Sequence, residues 1–262
     1  AVTDGTAKTH ESMIRRDIMP GIGIMTDSNS GIMPSEETSY GIHVLPMPVI
    51  IDGRAYGEGV DITPDDFYRK QTSGAAITTS QPSPGDVTAM WDRLLASYDE
   101  IVFIPMSSGL SNTCQTALIL AEDEPYRGKV HVVDNHRISV TQAVSVLDAK
   151  ILADEGRSGA EIKAILEQES LDATIYIAVD TLEYLKKGGR ITPAAAAIGS
   201  MLRLKPVLTI QGDKLDSFAK ARGMKSAFHT MLNALKKDIA TRLAPLKEQG
   251  CLKVGLAKTG SF

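Results

Sequence analysis

Two short apolar runs pass directly into polar turns that are rich in hydroxyl groups. The first run covers residues 21–26 and leads into residues 27–31, and the second covers residues 101–106 and leads into residues 107–113. Uninterrupted apolar runs of this length are typical of strands covered on both faces, and Ser, Asp and Asn are favoured where a helix begins. The pattern therefore predicts strand–turn–helix units and a parallel sheet between two layers of helices.

The rest of the pattern divides the chain into two domains. A strand at residues 130–134, a helix at about 139–153 and the capping box of Ser158 and Glu161 complete a predicted three-layer α/β domain over residues 21–170. Beyond it, the pattern predicts strands at residues 174–179, 206–211, 215–221 and 252–257, and helices at residues 181–187, 193–202 and about 225–243. Because short connections favour antiparallel pairing, residues 171–262 are predicted to form an α+β domain with a mainly antiparallel sheet.

Three further parts of the chain are interpreted separately from the two main patterns. Asp52-Gly53 supplies the left-handed conformations of a tight turn, so a hairpin is predicted near residues 44–60, and it is a candidate to join the second domain. Thr63-Pro64 and Ser83-Pro84 predict two helix starts, with residues 76–82 as a loop between them. Residues 1–20 lack the apolar stretch of a secretory signal and are interpreted as an N-terminal extension or linker.

Composition excludes several classes of function. The formal net charge of the 262 residues is -4, so no global positive field favours nucleic acid or an anionic membrane surface. The two cysteines, Cys114 and Cys251, do not suggest a disulfide framework or a thiolate metal site, which fits a reducing cytoplasm. No apolar stretch approaches the roughly 20 residues that a membrane-spanning helix needs. Phosphate-loop, nucleophile-elbow, zinc-protease and dinucleotide motifs are absent from the sequence.

Two hydroxyl-rich segments and two arginines are suited to bind an anion. Residues 107–113 place Ser108 and Ser111 beside the unpaired amides of a predicted helix start, and residues 78–84 form a second hydroxyl cluster with Thr79 and Ser80. Arg190 follows a glycine turn and Arg222 ends a predicted strand, and each is suited to contact a carboxylate or phosphate. Ordinary helix capping is the alternative explanation for both hydroxyl segments.

Five separated segments together resemble the DegV family. They read IMTDS at residues 24–28, TSQPS at 79–83, SSGLS at 107–111, LEYLKKGGRI at 182–191 and KPVL at 205–208. The resemblance implies the two-domain fold described above, with a long-chain fatty acid in a tunnel between the domains. It implies that Thr79 and Ser111 hold the carboxylate, that Ser80 and Ser108 are the nearby alternatives, and that Arg190 and Arg222 line the polar end.

The resemblance also implies a role. Family members of this type supply bound fatty acid to a separate fatty acid kinase, so the chain is predicted to be a lipid-binding carrier without catalytic residues, metal or cofactor, while the kinase supplies the nucleotide chemistry. Two alternatives remain open: a (thio)esterase that uses Ser108 or Ser111, and a lipid-sensing regulatory module. The esterase requires a base, and no histidine is placed by sequence to provide it.

The sequence departs from the family pattern at three places. Asn112 replaces the usual glycine of the serine turn, although asparagine tolerates the left-handed conformation that such a turn can need. Residues 26–31 read TDSNSG instead of the commoner TDSTAD. The sequence given ends at Phe262, before the histidine-containing C-terminal turn of the family. We therefore expect the serine turn to be retained, while two readings of the last departure stay open: a polar contact near the carboxylate is missing, or that end is not included in the sequence given.

Overall fold

The structure is a computed structural model that describes residues 21–198, 204–210 and 214–258. Within these residues the strands are β1 Ile22–Asp27, β2 His43–Leu45, β3 Pro48–Ile51, β4 Arg54–Gly57, β5 Ile77–Thr79, β6 Glu100–Ile104, β7 Val130–Val132, β8 Ile175–Ala178, β9 Leu204–Ile210 and β10 Asp216–Arg222. The helices are α1 Glu37–Tyr40, α2 Pro64–Thr72, α3 Pro84–Leu95, α4 Thr113–Ala121, α5 Ser139–Asp154, α6 Gly159–Gln168, α7 Glu183–Gly188, α8 Pro193–Ile198, α9 Met224–Ala240 and α10 Ala244–Glu248. Two short 3-10 helices, Ser28–Ser30 and Pro34–Glu36, follow β1.

A four-stranded parallel sheet in the order β2-β1-β6-β7 forms the N-terminal core. One face packs against α3 and α4, where Trp91 and Phe103 are fully buried. The other face packs against α5 and α6 through residues such as Val146 and Ile162. This arrangement confirms the predicted three-layer α/β architecture, and it follows from strands that are apolar on both sides.

Two antiparallel sheets complete the described fold. The order β10-β9-β8 forms one sheet, with α9 packed on one of its faces. The order β4-β3-β5 forms the other, and its hairpin turns at Asp52 and Gly53, which have φ values of 49° and 81°. The predicted hairpin is thus confirmed, and it pairs with β5 in a sheet of its own. The domain division at residue 170 stays a prediction.

The helix starts follow the predicted capping chemistry. The hydroxyl groups of Thr63, Ser83 and Ser158 each accept a hydrogen bond from the third residue of the helix that follows. Ser83 and Ser158 form reciprocal capping boxes with Asp86 and Glu161. The predicted helix at residues 193–202 begins at Pro193, and its last residues, 199–202, lie outside the described residues.

Two predicted segments differ in the structure. Residues 77–79, expected in a loop, form β5, because Thr79 and Ile77 pair with Val49 and Ile51 on an otherwise open edge and β-branched residues suit that position. Residues 252–257, expected to be a strand, have no regular structure. Val254 and Leu256 are largely exposed, and the described residues offer this segment no neighbouring strand to supply its hydrogen bonds.

Candidate functional site

A cleft of about 640 Å³ lies where loops from all three sheets meet. Its walls are the hydroxyl segment at the end of β5, the loop after β6 at residues 107–111, here called the serine loop, and the turn after α7. The lining consists of Thr79, Ser80, Gln81, Ser108, Gly109, Leu110, Ser111, Asn112, Gln115, Gly188, Gly189, Arg190 and Lys214. The structure thus brings together side chains that are up to 135 positions apart in sequence, from Thr79 to Lys214.

Five of the six residues predicted from the sequence line this cleft, namely Thr79, Ser80, Ser108, Ser111 and Arg190. Arg222 does not belong to the lining and is exposed at the end of β10. Sequence reasoning missed Lys214, which stands in the connection between two predicted strands. It also missed Gln81, Asn112 and Gln115 as lining residues, although Asn112 and Gln115 are three positions apart at the start of a predicted helix, a spacing that places them on one face.

The serine loop lies at the carboxyl end of the parallel sheet, the end at which α/β proteins commonly bind ligands. In the order β2-β1-β6-β7, the connection from β1 to β2 runs toward one edge of the sheet, and the connection from β6 to β7 runs toward the opposite edge. The carboxyl ends of β1 and β6 therefore flank the point where the winding direction changes, and α/β proteins bind ligands in the crevice at such a point. The serine loop begins directly after β6.

Hydrogen bonds of the backbone amides hold the serine loop in one conformation. The amide of Ser107 donates to the carbonyl oxygen of Arg137 at 2.9 Å, and the amides of Leu110 and Ser111 both donate to the carbonyl oxygen of Ser107. The amide of Ser108 donates to Oδ1 of Asp134 at 3.3 Å. The loop is therefore a tight turn whose hydroxyl groups have defined positions.

The hydroxyl groups that line the cleft differ in whether they form hydrogen bonds within the protein. Oγ of Ser111 lies 2.8 Å from Oγ1 of Thr113 and accepts a hydrogen bond from the amide of Thr113, so Ser111 also caps α4. The side chains of Thr79, Ser80 and Ser108 make no hydrogen bond to any residue in the described part of the chain. These three hydroxyl groups are free to serve a ligand, and the capping interpretation accounts for Ser111 only.

The segment after β5 is held against α4. The amide of Ser80 donates to the carbonyl oxygen of Pro48 at 3.3 Å, which continues the pairing of β5 with β3. Oε1 of Gln81 accepts from Oγ1 of Thr116 at 3.4 Å. Pro82 is buried, and Ser83 caps α3. Thr79 and Ser80 are therefore attached to regular structure on both sides.

Arg190 connects the third wall to the serine loop. Gly189 ends α7 with a φ of 67°, a left-handed conformation that glycine adopts without strain. Nε of the next residue, Arg190, donates to the carbonyl oxygen of Leu110 at 3.1 Å, and Nη1 donates to the carbonyl oxygen of Gly188 at 3.3 Å. The guanidinium is thereby oriented beside the serine loop, with donors left for a ligand.

The described lining of the cleft carries positive charge and no negative charge. It contains two cations, Arg190 and Lys214, together with hydroxyl and amide groups, but no carboxylate, histidine or cysteine. The described residues also contain no cluster of three or more His, Cys, Asp or Glu side chains that could hold a metal ion. Such a surface favours an anion and offers no general base.

Two buried titratable groups lie beneath the site. Burial raises the pKa of the Asp27 carboxyl, although hydrogen bonds from the Met106 amide at 2.8 Å, from Gln142 and from Asn29 act in the opposite direction. Burial also raises the pKa of the Cys114 thiol to about 12, so this cysteine is not a nucleophile near neutral pH. Asp27 fixes the backbone where β6 passes into the serine loop.

An apolar cluster, here called the aliphatic layer, continues inward from the cleft. Its buried members are Met106, Leu110, Leu182, Ile191, Ala195, Leu208, Ile210 and Leu215. Side chains from both halves of the chain contribute, and none of its members among the described residues is aromatic. Leu110 lines the cleft and also belongs to the layer, so polar and apolar surfaces meet at this residue.

Comparison with known proteins identifies the family. The model of a family described as an uncharacterised protein, DegV family, matches residues 21–245. The chain belongs to the DegV family. A DegV domain-containing protein of Caldanaerobacter subterraneus is 34% identical over 227 residues, which cover 86% of this chain and 81% of that protein. The relative from Deinococcus radiodurans is 31% identical, and the match covers 84% of this chain and 78% of that protein.

Solved DegV structures share the fold. A DegV family protein from Thermus thermophilus, described by its fatty acid binding, has a TM-score of 0.74 and 36% identity and covers 83% of this chain and 77% of its own. DegV of Bacillus subtilis, described as a fatty acid binding protein, has a TM-score of 0.73 and 29% identity, and the match covers 84% of this chain and 79% of that protein.

Among the described residues, no helix is both long enough and apolar enough to cross a membrane.

Proposed function

We propose that this DegV family protein binds a long-chain fatty acid, with the carboxylate in the cleft and the acyl chain in the aliphatic layer. One observation carries the proposal: hydroxyl and cationic side chains near three sheets line one cleft whose described lining has no carboxylate, and Leu110 of this lining also belongs to an apolar cluster whose described members include no aromatic ring. The two solved relatives described as fatty acid binding proteins support the same ligand class.

The polar end has enough donors for a carboxylate. The free hydroxyl groups of Thr79, Ser80 and Ser108 and the cation of Arg190 compensate for the water that a carboxylate loses on entry. Ser111 can contribute its hydroxyl proton while Oγ still accepts from the Thr113 amide. Arg222 lies outside the lining, and its predicted contact with the ligand has no such support.

The apolar end supplies most of the affinity. Burying a chain contributes about 0.8 kcal/mol per methylene, whereas one hydrogen bond contributes only about 1 kcal/mol net. The aliphatic layer is shared by elements of both halves of the chain, such as Met106 after β6 and Leu208 of β9, so an acyl chain there would lie between them. The hydroxyl groups then determine which end of the ligand faces out.

We further propose that the protein is a carrier that presents the carboxyl group to a separate fatty acid kinase in the cytoplasm. The basic residues at the cleft, Arg190 and Lys214, and the exposed Lys186 and Lys187 of α7 suit contact with a phosphorylated product or an acidic partner surface. The esterase alternative has less support, because the carboxylate nearest to Ser108 in the described contacts, that of Asp134, accepts from the Ser108 amide, and the described lining contains no histidine to act as the base.

Mass spectrometry of an organic extract of the purified protein tests the proposal. We expect a stoichiometric fatty acid in the native protein and its loss from the Thr79→Ala, Ser111→Ala double variant. The matched control is the Thr72→Ala, Ser226→Ala double variant, which removes two exposed hydroxyl groups far from the cleft and should retain the lipid. Absence of lipid from well-folded native protein that also fails to bind added fatty acid would refute the proposal.

A further inference from the structure

A second cavity of about 210 Å³ adjoins the aliphatic layer away from the cleft. Ile210 belongs to the layer and Ile175 packs against it, and both side chains also line the cavity. None of the residues that line the cleft lines this cavity. Its volume is well above the roughly 10–15 Å³ that is needed to hold one water molecule by this measure of volume. Residues of the layer therefore border two separate spaces, one near Leu110 and one near Ile210.

The lining of this cavity is unusually basic for the end of an apolar site. His136, Arg137 and Arg242 contribute to it together with three hydroxyl side chains, and no carboxylate is among its lining residues. Arg242 donates hydrogen bonds to the carbonyl oxygens of Leu171 at 2.7 Å and Ala173 at 3.2 Å, which fixes it at the rim, and its Nη2 lies 3.8 Å from Oδ2 of Asp238, a carboxylate outside the lining. The cavity therefore combines an aliphatic floor with a cationic wall.

Arg137 is the most constrained of these side chains. It is only 7% exposed; Nη1 donates to Oγ of Ser145 at 2.9 Å, and Nη2 donates to the carbonyl oxygen of Glu169. Nε has no hydrogen-bond partner in the described part of the chain. Burial lowers the pKa of this guanidinium, while Glu169, Asp148 and Asp172 oppose that shift from outside the lining. A buried cation with an unpaired donor costs free energy unless an acceptor approaches it.

We propose that the second cavity receives the far end of the bound acyl chain and favours chains whose far end carries an oxygen function, a hydroxyl or a second carboxylate. The inference rests on the proposed fatty acid function. A methyl end would leave Nε of Arg137 without an acceptor, whereas an oxygen can accept a hydrogen bond from it and a further one from Arg242. Hydrogen bonding to Ser145 and Glu169 explains why Arg137 is held in place, but it explains neither the unpaired Nε nor the open space beside it.

Competition binding on the delipidated full chain tests this inference. Palmitic acid, 16-hydroxypalmitic acid and hexadecanedioic acid share one chain length and differ at the far end. Each would displace a fluorescent fatty acid, and we expect the two oxygen-bearing ligands to bind about tenfold more tightly than palmitic acid, as one hydrogen bond to a charged group implies. Arg137→Met should abolish that preference, measured as the ratio of the diacid and palmitic acid affinities within the same variant.

A second variant keeps the test independent of folding at a buried position. Arg242 is exposed, so Arg242→Met should fold and should reduce the preference for the diacid by about threefold without abolishing it, while the matched Arg69→Met change on α2 should have no effect. Equal affinity of native protein for the three ligands, or an unchanged preference in both cavity variants, would overturn the inference and leave the fatty acid proposal standing. Failure of all three ligands to bind would overturn both.

Discussion

Asp27 is a carboxyl group that the fold buries completely at the end of β1. Its oxygens accept hydrogen bonds from the Met106 amide, from Nε2 of Gln142 and from the Asn29 amide, so it joins β1 to the start of the serine loop and to α5. Burial nevertheless outweighs these bonds and raises the pKa of the group. The folded protein therefore holds the proton of Asp27 more tightly than the unfolded chain does.

This raised pKa predicts a pH dependence of stability. Between the unfolded pKa near 3.8 and the higher folded pKa, the folded state binds more protons, so the contribution of Asp27 to the free energy of unfolding falls as pH rises through that window. Urea unfolding of native protein and of Asp27→Asn across this pH range measures the effect. We expect the native-minus-variant difference to decline with rising pH, and a difference that increases would contradict it.

Residue chemistry explains which parts of the site were predictable. Thr79, Ser80, Ser108 and Ser111 stand in hydroxyl-rich segments beside helix starts, a pattern visible in the sequence. Lys214 stands among ordinary polar loop residues, and only the packing of the β10 end of its sheet beside Arg190 brings it to the cleft. Arg222 has the same type of side chain as Arg190, but strand pairing with Leu204 places it elsewhere.

Helix starts are the elements that the sequence specified best. Ser83 accepts a hydrogen bond from the Asp86 amide, and Oδ2 of Asp86 accepts in return from the amide and hydroxyl of Ser83. All of these partners lie within four residues of one another. Local contacts of this kind are readable from sequence because they do not depend on how the rest of the chain folds.

The capping of α3 gives a prediction at this scale. Ser83→Ala leaves the helix start without its side-chain acceptor and should reduce the free energy of unfolding by about 1 kcal/mol, measured by urea denaturation. Ser97→Ala, at an exposed serine just beyond the same helix, is the control and should change little. An equal loss in both variants would show that the cap does not contribute.

Strands were predicted less well because their partners are distant in sequence. Residues 77–79 became β5 only because β3 leaves an edge open to them, and that edge is not visible in the threonine-rich sequence. Residues 252–257 have the apolar composition of a strand, but the described residues provide no strand beside them. Composition establishes that a segment is able to form a strand, and long-range pairing decides whether it does.

Residues in or beside all three sheets line the same cleft. Thr79 belongs to the hairpin sheet, Ser108 to the loop of the parallel sheet, and Arg190 and Lys214 flank the third sheet. A ligand bound there contacts all three units at once, and its acyl chain would add contacts in a layer built from both halves of the chain. Binding should therefore stabilise the protein as one unit.

Thermal unfolding tests this expectation. A ligand that binds only the folded state adds about 2.7 kcal/mol of stability when its free concentration is 100 times Kd. We expect delipidated native protein to show a midpoint that rises with added fatty acid, with one transition instead of separate ones. The Thr79→Ala, Ser111→Ala variant should show a much smaller rise, and an equal rise in both proteins would argue against the proposed carboxylate site.

The absence of carboxylates and histidines from the described lining of the cleft has a consequence for proton balance. Nothing in the described lining can take up a proton near neutral pH, because it contains no histidine and no carboxylate. If the proposed function holds, Arg190 and Lys214 would favour the carboxylate form of the ligand, so a fatty acid that arrives in its neutral form would give its proton to the solvent on binding. Uptake of the neutral acid would then release a proton, and delivery of the ligand as a neutral acid would consume one. Under this proposal, the pH of the surroundings would influence loading and unloading through the carboxyl group of the ligand itself.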